Sequence, residues 1–202
     1  MRHGITENAL RTALKRDLAS TMAPEDALLE ELNVELGAVR ADVVLAGDLL
    51  HAFEIKSDFD TLDRLARQMH AYHRVFDRVT LATTQSFMTA AELLLPPWWG
   101  LLLAEELQGS LVLTSLRAPS PNPRQNVRDI ASLLWREEAL AVVEVIAPHR
   151  VRSRSTREEL CDVIAGAGTL VDVRRWVVSG LKRRNTIRAL QGLSLRRAST
   201  AA

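Results

Sequence analysis

Arg40-Ala41-Asp42-Val43-Val44 and Phe53-Glu54-Ile55-Lys56-Ser57 are the two strings whose reading decides the fold. Residues 41–46 and 49–56 are rich in β-formers, and Gly47-Asp48 between them reads as a tight turn, so the two runs are predicted to form a hairpin. Folding about that turn sets Asp42 opposite residues 53–54. Side chains alternate along a strand, so Glu54 and Lys56 share one face while Phe53 and Ile55 point the other way into a core. Asp42 and Glu54 can then meet as oxygen ligands of a hard cation, with Lys56 beside them. The plain alternative is a surface hairpin carrying a Glu–Lys ion pair.

Working outward, Ser57 to Phe76 is predicted to be a helix started by Asp58 or Asp60, with Leu62, Leu65, Met69 and Phe76 on its apolar side. Arg64, Gln68 and Tyr72 recur at four-residue spacing and line up on a neighbouring stripe. Val79–Thr83 reads as a further strand. Upstream, Thr6-Glu7-Asn8 opens a helix with Leu10, Leu14 and Leu18 on one face, and a predicted first strand carries Glu30 and Glu31.

The pattern Asp42…Glu54-Ile55-Lys56, followed by Gln68 and Tyr72, resembles the PD-(D/E)XK nuclease superfamily, the restriction-endonuclease-like fold. The longer run from Phe53 to Leu65, with Arg40-Ala41-Asp42 ahead of it, is similar to a bacterial branch of small, uncharacterised members. Trp98-Trp99-Gly100 and Leu134-Trp135-Arg136 extend the likeness. Ala41 stands where the motif usually has proline.

This resemblance implies an α/β fold with a central mixed sheet flanked by helices and an α-helical C-terminal extension. It also implies a Mg²⁺- or Mn²⁺-dependent phosphodiester hydrolase acting on nucleic acid, most simply DNA, with a homodimer as one assembly such enzymes use. Asp42, Glu54 and the Ile55 carbonyl would be metal ligands, Lys56 the motif lysine, and Gln68 and Tyr72 helix residues beside the site. Glu7 would complete the set, in competition with Glu30 and Glu31. Glu7 also reads as a charge favourable to its own helix dipole.

Bulk properties fit one sizeable domain, or a core with an appendage, within 202 residues. No apolar run reaches the roughly 18–20 residues that span a bilayer, and no signal-peptide pattern opens the chain, so a cytoplasmic protein is expected. The lone Cys161 excludes an internal disulfide. Neither a zinc-spaced Cys/His cluster nor a Gly-rich phosphate loop is present, which argues against zinc, ATP and NAD chemistry.

Charge is divided along the chain. Residues 1–116 hold 10 Lys/Arg against 17 Asp/Glu, a net of −7, while residues 117–202 hold 16 against 8, a net of +8. The prolines of Pro119, Pro121 and Pro123 mark an extended linker between these parts. Residues 1–116 are thus the expected core, 117–184 a basic helical region and 185–202 a basic, disordered tail. Beyond the linker a helix is expected within 125–146. Thr156-Arg157-Glu158-Glu159 makes a capping-box start to a helix ending near Gly166-Ala167-Gly168, and a second helix follows from about Leu170 to Leu181. Such a pair resembles a helix-turn-helix, although most such pairs are packing units. Arg64, Arg174, Arg175, Lys182, Arg183 and Arg184 are the candidate nucleic-acid contacts. Two functional classes therefore stand side by side: a metal-dependent nuclease, and a non-catalytic DNA-binding or regulatory protein that uses the C-terminal helix pair.

Overall fold

The two decisive strings form adjacent strands of one six-stranded sheet in the computed structural model, which describes residues 4–150, 152 and 154–200, with side chains as far as residue 191. The strands are β1 (Ala27–Val34), β2 (Val39–Ala46), β3 (Leu50–Lys56), β4 (Arg78–Thr84), β5 (Gly100–Leu107) and β6 (Ser110–Arg117). They lie in sequence order across the sheet. β1, β2 and β3 form an antiparallel meander, β3–β4–β5 are parallel, and β6 returns antiparallel to β5. The parallel steps need crossovers, and α2 (Leu65–Val75) and α3 (Gln85–Leu94) supply them. A mixed α/β architecture with helices around a central sheet is the result.

The period-two pattern divides the two faces. Phe53 and Ile55 join Val43, Ala82 and Ala104 under α1 (Glu7–Ala19), whose Leu10 and Leu14 fill that layer. Thr6 caps α1 by accepting the Ala9 N–H at 3.3 Å. On the other face Ala52, Val79, Leu81 and Trp99 pack with Tyr72, Val75 and Phe76 in a larger apolar cluster. The same cluster includes residues of α4 (Val127–Ala131), α5 (Arg136–Ile146), α6 (Arg157–Ala167) and α7 (Leu170–Thr200). The C-terminal helices are therefore built onto the sheet. The linker is stitched down as well: Asn122 Nδ2 donates to the His73 and Phe76 carbonyls, and the Asn126 N–H to the Arg74 carbonyl.

Several local expectations are corrected. The helix after β3 begins only at Leu65, because Asp58 and Asp60 are used otherwise. Asp58 accepts the Ile5 N–H at 2.7 Å and the Thr84 and Ser86 hydroxyls, and Asp60 accepts the Ser57 N–H and hydroxyl. The single helix expected within 125–146 is two, α4 and α5, separated at residues 132–135. Trp135 precedes α5 with its N–H donated to Glu138 Oε2 at 2.8 Å. The capping box at Thr156 and Glu159 opens α6 as expected. The second helix runs well past Leu181, to Thr200, as α7. The side chains of Arg196 and Arg197 lie outside the described residues, as do residues 201 and 202.

The turn between α6 and α7 depends on glycine for space rather than for a left-handed backbone. Gly168 has φ −103° and ψ 149°, open to any residue. A Cβ there would meet Trp176 Cζ3 at 2.8 Å. The β1–β2 turn is the reverse case: Glu35 and Leu36, neither of them glycine, take φ of 49° and 58° ahead of Gly37 at 93°.

Candidate functional site

The β2–β3 register pairs Val43 with Phe53 and stops there, so Asp42 and Glu54 stand just beyond the paired stretch. Asp42 Oδ2 accepts the Ile55 N–H at 2.8 Å. Glu54 and Lys56, expected on one face, lie buried on it with relative exposures of 1% and 3%. Lys56 Nζ is 2.9 Å from Glu54 Oε1. The Tyr72 hydroxyl donates to Glu54 Oε2 at 2.6 Å. Gln68 lines the same 350 Å³ cavity, together with Glu7, Glu31, Arg40, Arg64 and Arg67, and its buried Oε1 has no hydrogen-bond partner among the described residues. The structure thus brings Asp42, Glu54, Ile55, Lys56, Gln68 and Arg64 to one cavity, with Tyr72 beneath it and Glu7 at its mouth.

Electrostatics follow from this burial. Desolvation first, and the neighbouring Glu54 carboxylate second, push Asp42 up to about 7, against the opposing pull of the Ile55 N–H, Arg11 and Lys56. Burial and Glu54 also push the Tyr72 phenol up.

Arg11 is the residue of this site that sequence reasoning missed. Glu7, Glu31 and Asp42 place carboxylate oxygens within 4.8 Å of one another, as a cation would require. Arg11 fills that place. Its Nη2 lies 2.5 Å from Glu7 Oε1, 2.9 Å from Glu31 Oε1 and 3.5 Å from Asp42 Oδ1, and its Nη1 donates to the Asp42 carbonyl at 2.8 Å. Glu31 also holds Arg40, and Glu30 holds Lys15. The available signal was the spacing of Glu7 and Arg11 by four, beside the Leu10–Leu14 stripe. The acidic residues do not fit a Mg²⁺ or Mn²⁺ centre: the Arg11 guanidinium occupies the place between the three carboxylates where a cation would sit, and Lys56 and Tyr72 engage Glu54.

Arg64 lies at the Asp42 cavity, and the five candidate nucleic-acid contacts on α7 divide in two. Arg174 pairs with buried Asp77 at 2.5 Å, and Lys182 with Asp26 at 3.4 Å. Arg184 is buried against Glu138, donates to the Leu133 carbonyl at 2.8 Å and lies 4.2 Å from the centre of the Trp135 ring. These three anchor α7. Arg175 and Arg183 are exposed, and Arg183 donates to the Ser179 hydroxyl at 2.8 Å. They border a 790 Å³ groove between α7 and the β2–β3 turn, lined also by Ser179, Lys182 and Thr186. Sequence reasoning missed Ser179 and Thr186. With Arg175 and Lys182 they recur at four, three and four residues, a single helical stripe.

A mixed α/β protein with an internally ion-paired acidic cluster and a cationic helix flank is the class that this geometry defines. The chain belongs to the bacteriophage P4 protein cII family, which it matches over residues 2–200. It is similar to protein cII of Enterobacteria phage P4, with 24% identity over 164 residues covering 81% of this chain. The chain spans 61% of the length of that relative. Among solved structures it is similar to a protein of unknown function from Silicibacter pomeroyi, with 19% identity, a TM-score of 0.44, and coverage of 74% of this chain and 97% of that one.

Membership in the cII family corrects the assignment to the PD-(D/E)XK superfamily. The nuclease activity, the classification as a phosphodiester hydrolase and the Mg²⁺ or Mn²⁺ cofactor were all inferred from that resemblance, and they are withdrawn with it. The physical reason is that a short Asp…Glu-x-Lys pattern on a hairpin serves equally well as a buried ion-paired network. Among the described residues no helix is long and apolar enough to cross a membrane.

Proposed function

We propose that this protein binds DNA without cutting it and regulates by occupancy, with the α6–α7 pair as its contact element. The groove along α7 carries this reading. Arg175 and Arg183 take part in no ion pair among the described residues, whereas Arg174, Lys182 and Arg184 are held against the body. Arg175 and Arg183, the latter hydrogen-bonded to the Ser179 hydroxyl, present guanidinium N–H donors that phosphate oxygens accept. The groove residues run from Val171 to Ile187, roughly 24 Å of helix at 1.5 Å per residue. A helix of that length fits the major groove of B-form DNA, while the A-form RNA major groove is too narrow for it. Thr169 fixes the start of α7 by accepting the Asp172 N–H and donating its hydroxyl to Asp172 Oδ2.

The test is a salt titration of binding to a blunt DNA duplex. Affinity is expected to fall linearly on a log–log plot, and Arg175→Ala with Arg183→Ala together are expected to reduce the slope by about 2. Duplex affinity unchanged in this double variant would remove α7 as the contact.

A further inference from the structure

The opposite flank of α7 has a different character. A smaller cavity of 220 Å³ lies there, between α7, the β1–β2 turn and the start of α5. Trp135 lines it with 51% of its surface exposed, and Leu36 with 66%. Asn33, Arg157 and Arg188 complete its polar rim. The two carboxylates that also reach it, Glu30 and Glu31, are neutralised by Lys15 and by Arg11 and Arg40. Arg184 is committed to Glu138 and lies over the Trp135 ring. Arg157 donates Nη2 to the Ser132 carbonyl, while its buried Nε has no hydrogen-bond partner among the described residues. Arg188 is in no ion pair among the described residues.

Two features here are costly for folding alone. Leucine gains by burial, yet Leu36 stands in solvent. Its left-handed backbone, like that of Glu35 beside it, adds strain for a residue with a Cβ. A tryptophan braced by a stacked guanidinium, a projecting leucine, an exposed amide and two arginines form a set that suits one aromatic base and its phosphate. Aromatic and apolar surface stacks the base, asparagine reaches its polar edge, and arginine takes the phosphate.

We propose that this cavity is a nucleotide subsite that accepts one unstacked base of a single-stranded segment flanking the duplex held on the other side of α7. The subsite extends the DNA-binding reading and rests on it.

The experiment compares a blunt duplex, the same duplex with a five-nucleotide single-stranded overhang, the overhang made abasic, and a free single-stranded octamer. Affinity is read by anisotropy of a labelled strand, and stacking by quenching of tryptophan emission. The overhang is expected to tighten binding roughly tenfold, the order of one base stacked on one aromatic ring. The abasic overhang and the variant Trp135→Leu should each lose that gain, with blunt-duplex affinity unchanged. Leu36→Asn should lose it too while raising thermal stability, because asparagine tolerates the left-handed backbone; this variant separates binding from misfolding. Equal affinity for blunt and overhang duplexes, with no quenching by the octamer, would overturn the subsite and leave the duplex reading intact. Quenching by the octamer with no affinity for blunt duplex would do the opposite.

Discussion

Lys56 Nζ lies 2.9 Å from Glu54 Oε1, and both side chains are sealed from solvent. A buried pair of this kind is costly to break from one side, since the surviving charge has lost both water and partner. Lys56→Met is therefore expected to destabilise the protein by about 3–5 kcal/mol. Adding Glu54→Gln should recover much of that loss, because Gln keeps an acceptor for the Tyr72 hydroxyl. Denaturant unfolding of the two single variants and the double variant closes the cycle. Additive losses would show that the two groups do not act as a pair.

Asp42 and His51 give opposite pH dependences. Asp42 is raised from 3.8 to about 7 by burial and by Glu54, so the folded state holds a proton that the unfolded chain releases. Its contribution to stability is present below pH 4 and is lost as pH rises through 7. His51 is lowered from 6.5 to about 4 by burial and by Arg78, so its contribution is lost as pH falls from 6.5 to 4. Between pH 4 and 6.5 the two effects oppose each other. Asp42→Asn should expose the histidine's rise alone and exceed wild type increasingly above pH 4, levelling off just above pH 7. A stability difference between variant and wild type that does not change with pH would refute this assignment.

The arginines of α7 should separate stability from binding. Arg184→Ala removes a buried partner of Glu138, a hydrogen bond to the Leu133 carbonyl and the ring contact with Trp135. A loss of about 3 kcal/mol or more is expected, which for a chain of this size lowers Tm by roughly 6–12 °C. Arg175→Ala and Arg183→Ala should leave Tm within about 2 °C of wild type, as exposed substitutions do, and weaken duplex binding. Calorimetry beside binding assays tests the division. A large fall in Tm for Arg175→Ala would mean that its charge is structural after all.

This division explains what was legible in the sequence. The alternation Phe53-Glu54-Ile55-Lys56 placed apolar side chains under α1 and polar ones on the other face, because strand geometry fixes that outcome locally. Thr156–Glu159 likewise declared the start of α6. The partners were not legible, because they come from distant segments. Asp77, which holds Arg174, follows α2, and Asp26, which holds Lys182, precedes β1. Six cations, five in the C-terminal half and Arg64 just ahead of α2, looked equivalent along the chain, and only the fold reveals which have been used. The Asp42 site misled for the same reason. Its residue types suit a metal until Arg11, 31 positions away, is seen donating to the Asp42 carbonyl.

The α6–α7 turn gives a last, sterically defined prediction. Gly168 ends α6 with its N–H on the Ile164 carbonyl at 2.9 Å, and its backbone is extended. Alanine would suit those dihedrals and, by lowering the entropy of the unfolded chain, would on that ground stabilise by about 0.4–1 kcal/mol. The Trp176 ring prevents this, since the new Cβ would lie 2.8 Å and 3.1 Å from two of its carbons and 3.1 Å from Val173 Cγ2. Trp176 is partly exposed, so the ring can swing outward, at the expense of its packing on the turn. Gly168→Ala is therefore expected to destabilise by about 1–3 kcal/mol, the usual range for overpacking, and Trp176→Leu should relieve much of that loss. Because Gly168 sets the approach of α6 to α7, duplex affinity should weaken along with stability in Gly168→Ala and recover in the double variant. A neutral or stabilising Gly168→Ala would show that the turn tolerates a side chain and that the helix pair is not fixed by this contact.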